Sequence, residues 1–225
     1  MRSALLALLL VAGLPLVAAD TSRGVGVASE LCFGEPAMIV GTTADDQLTG
    51  TARDDVIEGG AGNDRIDGGG GNDLVCGGDG NDQLNGGGGS DVVDGGAGDD
   101  QLSGGPGSND LDGGAGDDTI TGGPGVDAAI YVNASAGVRV DLGRRRATGW
   151  GTDRLSGIET VLGSRFGDVL VGDAAQNHLA GAKGNDRLLG GAGSDLLDGG
   201  PGTDSVDGGR GRDLCVKAET KVSCP

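Results

Sequence analysis

The sequence predicts an all-β chain, a right-handed parallel β-solenoid widened once near its middle. Three observations predict it. Glycine supplies 51 of 225 residues while aromatic side chains number four, Phe33, Tyr131, Trp150 and Phe166, so the bulky material of an ordinary globular core is missing. Apolar residues recur at every ninth position through two long stretches, the signature of a stacked repeat. Acidic residues outnumber basic ones 34 to 16, and the net charge of -18 repels nucleic acid and anionic membranes while attracting cations. Collagen and disorder also carry much glycine. The absence of a strict three-residue glycine period and the regular apolar pattern argue against both.

Residues 1–19, MRSALLALLLVAGLPLVAA, place one Arg before an apolar run and finish on small residues, with Val17 and Ala19 ahead of a cleavage point. They are read as a secretory signal peptide. A transmembrane anchor is the alternative, opposed by the shortness of the run and by Pro15 inside it. The mature chain is therefore expected to be secreted and to lack a membrane span. Loss of Arg2 moves its charge from -18 to -19. Four cysteines, an even number, suit an oxidising compartment and allow three pairings. Nearest-neighbour pairing joins Cys32 to Cys76 and Cys215 to Cys224. A zinc site is the alternative, but there is no CxxC pair, and the single His178 is remote in sequence from all four cysteines.

Residues 20–40 are read as an N-terminal cap in which Phe33 and Ile39 cover the apolar end of the first coil. From Gly41 the chain divides without gaps into GTTADDQLT, GTARDDVIE, GGAGNDRID, GGGGNDLVC, GGDGNDQLN, GGGGSDVVD, GGAGDDQLS, GGPGSNDLD, GGAGDDTIT and GGPGVDAAI, a first array over 41–130. The frame resumes at Gly163 with GSRFGDVLV, GDAAQNHLA, GAKGNDRLL, GGAGSDLLD, GGPGTDSVD and GGRGRDLCV, a second array over 163–216. Glycine at positions one, two and four suits positive φ and close backbone approach in a turn of six residues. Positions seven to nine make a short strand whose eighth residue faces inward, from Leu48 and Ile57 to Ala129 in the first array. Two units form one coil, so strands on one side stack in parallel about 4.8 Å apart.

Between the arrays, residues 131–162 read as an enlarged coil rather than a domain. Val138, Val140 and Leu142 alternate as in a strand, Gly143 to Arg146 suggest a turn, and Leu155, Ile158 and Val161 continue the inward stack. Tyr131 and Trp150 are read as packing residues that close this coil, with glycan contact the alternative. Arg144, Arg145 and Arg146 form the basic cluster, read as an exposed turn in preference to a patch for an anionic polymer. Residues 217–225 are read as the C-terminal cap.

The sixth position holds Asp in fourteen of the sixteen units and Asn in the other two, while the fifth varies among eight residue types. Turn propensity alone would not separate neighbouring positions so sharply, so a ligand role is indicated. The units match GGxGxDxUx, with U a large aliphatic residue, and that nonapeptide is an established calcium-binding pattern. On these motifs, which span 144 of the 225 residues, the chain resembles the RTX, or hemolysin-type calcium-binding repeat, family. The resemblance implies a parallel β-roll and several bound Ca²⁺ ions.

Stacking sets each sixth-position carboxylate beside that of the next unit on the same edge, Asp46 beside Asp64 and Asp55 beside Asp73. An all-oxygen cage of such carboxylates and turn carbonyls suits Ca²⁺ better than Mg²⁺. The candidate ligands at position six are Asp46, Asp55, Asp64, Asp73, Asp82, Asp91, Asp100, Asn109, Asp118, Asp127, Asp168, Asp186, Asp195, Asp204 and Asp213. The candidate turn glycines in the first array are Gly60, Gly62, Gly69, Gly71, Gly78, Gly80, Gly87, Gly89, Gly96, Gly98, Gly105, Gly107, Gly114, Gly116, Gly123 and Gly125. In the second array they are Gly184, Gly191, Gly193, Gly200, Gly202, Gly209 and Gly211. One ion in every same-edge gap gives about eight sites in the first array and about four in the second. GTTADDQLT, GTARDDVIE and GDAAQNHLA lack the defining glycines and are expected to be rungs without metal. Calcium should matter most in residues 41–130, which hold nineteen acidic and two basic residues, whereas residues 131–225 balance at twelve of each.

No HExxH, GxSxG or GxxxxGK[ST] is present, and His178 faces outward from a seventh position, so no catalytic constellation emerges. The expectation is a non-enzymatic, secreted, calcium-binding protein with a structural or interaction role, folding on Ca²⁺ outside the cell. The alternatives are an adhesin or a module for extracellular polysaccharide or the cell surface, and an accessory part of a secreted hydrolase or toxin. Many RTX toxins leave by a C-terminal signal, whereas the signal read here is N-terminal, so toxin activity is not implied.

Overall fold

The computed structural model describes residues 31–224, so the signal-peptide reading and the start of the N-terminal cap fall outside it. Among these residues there is no helix. Twenty-six short strands form two long sheets, of twelve and ten strands, and two small pairs. No helix of the described residues is long and apolar enough to cross a membrane.

Alternate units feed opposite sheets. Gln47–Thr49, Arg65–Asp67, Gln83–Asn85, Gln101–Ser103 and Thr119–Thr121 stack in the twelve-stranded sheet. Val56–Ala61, Leu74–Asp79, Val92–Ala97, Asp110–Asp112 and Ala128–Ile130 stack in the ten-stranded one. Pairing is parallel and steps by one coil, Leu48 opposite Ile66, Ile66 opposite Leu84 and Leu84 opposite Leu102. Because side chains alternate across a strand, the seventh and ninth residues point out and the eighth points into the space between the sheets. Ile57, Ile66, Val75, Leu84, Val93, Leu102, Leu111, Ile120 and Ala129 are buried there, and Leu170, Leu179, Leu188, Leu197, Val206 and Cys215 extend the file.

The glycines divide by role. Second and fourth positions take left-handed φ, +104° at Gly60 and +120° at Gly62, and Gly202 is the fourth-position exception. First-position glycines do not, so of the two demands expected of these glycines, positive φ and close backbone approach, they meet the second. They are required by proximity: a Cβ on Gly59 would run into the Gly77 carbonyl and the Asp64 carboxylate.

The widened coil departs from the parallel rule. Arg139–Asp141, Arg146–Thr148 and Thr152–Ser156 enter the twelve-stranded sheet, against Thr160–Leu162 alone in the ten-stranded one. Val138, Val140 and Leu142 are buried as the alternation predicts, but Arg146–Thr148 runs antiparallel to both neighbours. A tight turn over Leu142–Arg145 joins it directly to the preceding strand, and such a connection permits only antiparallel pairing. Tyr131 is buried and Trp150 packs on the core, consistent with their reading as packing residues.

Residues 148–156, TGWGTDRLS, are themselves a repeat unit. Gly149 and Gly151 take left-handed φ, Asp153 is buried at the sixth place, and Leu155 opposes Ile120. The repeat therefore resumes at Thr148 rather than Gly163. A shortened six-residue unit follows, GIETVL over 157–162, with Glu159 in the acidic place and Val161 inward. The tail repeats the device as KAETKV over 217–222, whose strand Thr220–Val222 pairs with Ser205–Asp207. Lys221 takes the inward place there, and its ammonium donates to the Cys215 carbonyl at 2.8 Å, which ends the apolar file.

At the other end, Leu31–Cys32 and Glu35–Pro36 form a hairpin, and Ile39–Val40 adds a strand beside Val56–Ala61. Ile39 packs on the core, while Phe33 stands half-buried in the hairpin turn with φ +54°. Disulfides join Cys32 to Cys76 and Cys215 to Cys224, the nearest-neighbour pairing.

Candidate metal centre

Every sixth-position side chain points into the solenoid edge, and all are buried except Asp46 in the first unit, which is half-buried. One carboxylate oxygen knits consecutive coils together. The Asp64 amide donates to Asp82 Oδ1 at 2.7 Å, Asp82 to Asp100 Oδ1 at 2.8 Å and Asp100 to Asp118 Oδ1 at 2.9 Å. On the opposite edge, Asp55 donates to Asp73 Oδ1 at 2.8 Å and Asp73 to Asp91 Oδ1 at 2.9 Å. The second array repeats this from Asp168 to Asp186 and from Asp186 to Asp204, both at 2.8 Å.

The second oxygen is where the chemistry lies. Oδ2 of Asp64, Asp73, Asp82, Asp91, Asp100, Asp118, Asp127, Asp186, Asp195, Asp204 and Asp213 is buried without a hydrogen-bond partner, eleven in all among the described residues. Each lies against the first-position glycine of its own turn. A buried, unpaired carboxylate oxygen is costly, and burial accordingly raises Asp64, Asp82, Asp91, Asp127 and Asp195 above the ordinary 3.8, and takes Asp73 and Asp100 to about 6 and Asp118 and Asp186 to about 7. The ladder amides oppose the shift, and neighbouring carboxylates add to it.

The turn carbonyls complete the setting. A Cβ on Gly78 would strike the Gly60 carbonyl, and one on Gly80 the Gly62 carbonyl, so these oxygens point into the gap between successive turns. Orphaned carboxylate oxygens beside glycine-lined carbonyls form a hard, all-oxygen, anionic donor set. Such a set fits Ca²⁺.

Other rungs satisfy themselves. Thr42 donates its amide and hydroxyl to Asp46 Oδ2 at 2.6 and 2.8 Å, and Thr51 does the same for Asp55. Ser164 donates its amide to Asp168 Oδ2 at 2.7 Å and its hydroxyl to Oδ1 at 2.8 Å. All three stand at the second position, where the orphaned turns carry Gly or, at residue 182, Ala. Asn109 Nδ2 donates to Gly105 O at 3.1 Å and to Asp127 Oδ1 at 2.8 Å, so the orphan oxygen is replaced there by a satisfied amide. Thus Asp46, Asp55, Asp168 and Asn109 hold the predicted place but differ in chemistry from the eleven.

Three acids that the nine-residue frame did not include continue the columns. Asp153 Oδ1 accepts from the Asp118 amide at 3.3 Å, and its Oδ2 accepts from the Tyr131 hydroxyl at 2.9 Å. Glu159 Oε2 accepts from the Asp127 amide at 3.0 Å, and Glu219 Oε2 accepts from the Asp204 amide. The GxGxDxL pattern around Asp153 was the signal that could have found the first. The fifth position, which its variability marks as unconstrained, builds an exposed ladder of opposite polarity. The amides of Asn63, Asn81 and Asp99 donate to Asp45, Asn63 and Asn81 Oδ1 at 2.7, 3.0 and 2.9 Å. Asp and Asn serve equally in this ladder because each offers an Oδ1 to the amide of the next coil. Cys32, Glu58 and Cys76 cluster closely, but both sulfurs are consumed by the disulfide and offer no thiolate to zinc. His178 is exposed on the outer face.

A family model described as the RTX calcium-binding nonapeptide repeat, in four copies, matches residues 40–75, 77–111, 103–128, 148–188 and 181–215. One matched segment begins at Thr148, the start of the unit found in the widened coil. No curated protein matches the chain.

Proposed function

The chain belongs to the family of RTX calcium-binding nonapeptide repeats, and on that footing we propose that it is a secreted structural protein whose solenoid is completed by Ca²⁺ in a chosen subset of its turns. The observation that carries this reading is the set of eleven buried Oδ2 atoms without a partner. The bound ion supplies divalent positive charge to oxygens that otherwise have none nearby. Asp64, Asp73, Asp82, Asp91, Asp100, Asp118 and Asp127 serve the first array, and Asp186, Asp195, Asp204 and Asp213 the second, with carbonyls of the adjoining turns. The rungs of Asp46, Asp55, Asp168, Asn109 and Asp153 stay metal-free because a hydroxyl or amide already satisfies them.

Two disulfides support an oxidising, extracellular setting, where calcium is abundant enough for sites of roughly 10⁻⁴ to 10⁻³ M affinity. Folding after export follows from the same balance, since the ion-free columns concentrate negative charge. The role is structural or interactive rather than catalytic. Circular dichroism during a calcium titration, with magnesium as the control, tests the proposal. A β-sheet signal that grows with calcium and little with magnesium is expected, and a spectrum indifferent to calcium would overturn coupled folding.

A further inference from the structure

The outer face of the twelve-stranded sheet carries, at its middle, charge opposite to that of the whole chain. Seventh-position side chains align across successive strands as Gln83, Gln101, Thr119 and Arg154, and the inserted hairpin then sets Arg146 directly opposite Arg154. Like charges on facing residues of an antiparallel pair repel. Both arginines are exposed, and neither has a carboxylate within ion-pair distance: the ion pairs among the described residues are Arg144 with Asp141 and Lys217 with Asp198. Arg139, on the neighbouring strand, and Arg145, in the turn, are also outside those pairs. Residues 131–162 hold five arginines against three acids, within a chain of net charge -18.

The arginines surround an open concavity of about 430 Å³, walled by Arg144, Arg145, Arg146 and Arg154 with Thr152 and Leu155. Asp153, the acid on that wall, is already engaged by the Tyr131 hydroxyl and the Asp118 amide. A second concavity, of about 260 Å³, lies along the amides and hydroxyls of Gln83, Gln101 and Thr119. Arg65 and Asp67, of opposite charge, close the far end of this second concavity, where Arg65 donates to Gln83 Oε1 at 2.8 Å, so the strip passes from a row of no net charge to a focus of guanidinium groups.

We propose that this face docks an acidic polysaccharide. The planar guanidinium fork matches a sugar-borne oxyanion, and the amide and hydroxyl row matches sugar hydroxyls on the same chain. A small anion would use the arginines alone. An extended glycan uses the whole row, whose strands repeat at about 4.8 Å. Nucleic acid is disfavoured by the flanking acidic array and by the lack of aromatic stacking groups among these aligned residues.

The test uses the full chain in saturating calcium, with affinity electrophoresis against short oligogalacturonates, heparin fragments and neutral dextran. Retention by the acidic glycans but not by dextran is expected, and the first two arms tell carboxylate from sulfate. The double variant Arg146→Gln/Arg154→Gln should weaken binding about tenfold or more while leaving the calcium-induced dichroism unchanged. The control Arg210→Gln should bind as the parent does. If the double change disturbs folding, Arg145→Gln in the turn carries the same test. Absence of retention on every acidic glycan would overturn the proposal, as would equal binding by the arginine variants, which indicates calcium bridging from the aspartate columns instead. The calcium titration fails or succeeds separately, so the two readings can be told apart.

Discussion

Asp82 and Asn109 occupy equivalent places on opposite edges, and one atom separates their fates. Both accept a coil-to-coil amide bond, but Asp82 keeps a bare oxygen where Asn109 has an amide that finds Gly105 O and Asp127 Oδ1. Asp82→Asn is therefore expected to remove calcium from its gap, seen as lower stoichiometry in calorimetric titration. The same change should make the ion-free solenoid less unfavourable by about 1–3 kcal/mol, measurable by urea unfolding in chelator. Ser164→Ala has the opposite profile. It removes one hydrogen bond to Asp168 in a rung already satisfied, so it should cost about 1 kcal/mol with or without calcium and leave the stoichiometry unchanged. The buried acidic columns at the sixth position were legible from their constancy alone. Which of them lack a partner was not read, although the second position encodes it: Thr42, Thr51 and Ser164 have a hydroxyl within reach of the carboxylate, and glycine has none.

The shortened units show how an element can lose three residues and keep its place in the stack. Each has a turn of three residues in place of six, and in both the amide of the preceding coil is met by the longer acid, Glu159 or Glu219, two residues after a left-handed residue, Gly157 or Lys217. Glu159→Asp, a conservative change on paper, is expected to lose the bond to the Asp127 amide and to cost about 1–3 kcal/mol in thermal or urea unfolding, whereas Glu159→Gln should retain most of it. The parallel strands and their one-coil register were legible because each unit carries its own alternating triplet. Of the hairpin, the strand through Val140 and a turn at Gly143 were legible, but the antiparallel return strand Arg146–Thr148 was not. Strand direction here is decided by the tightness of the four-residue turn, whose left-handed position is taken by Arg145 and not by Gly143.

Over the whole molecule, the buried acids set a pH dependence whose sign reverses with calcium. Burial raises Asp73 and Asp100 to about 6, Asp118 and Asp186 to about 7 and Asp112 to about 8, from an ordinary 3.8. Between these values the folded chain holds protons that the unfolded chain has released, so unfolding costs less as pH rises. The ion-free solenoid should consequently gain β-sheet dichroism when taken from pH 8 to pH 5, while calcium affinity, which needs the ionised carboxylates, should fall over the same interval. The net charge legible in the sequence indicated a demand for cations, but the depth at which each acid is held is set by the stacking of the coils. The inserted hairpin has one more effect. In a chain of nearly identical rungs, a strand could dock one coil too early or too late and lose almost nothing, since every neighbour offers the same groove. Two extra strands on one sheet, found at a single place, make that spot unlike any other and act as a datum from which the remaining rungs are counted, so that mis-threading by a whole coil leaves an unfilled gap instead of a harmless shift.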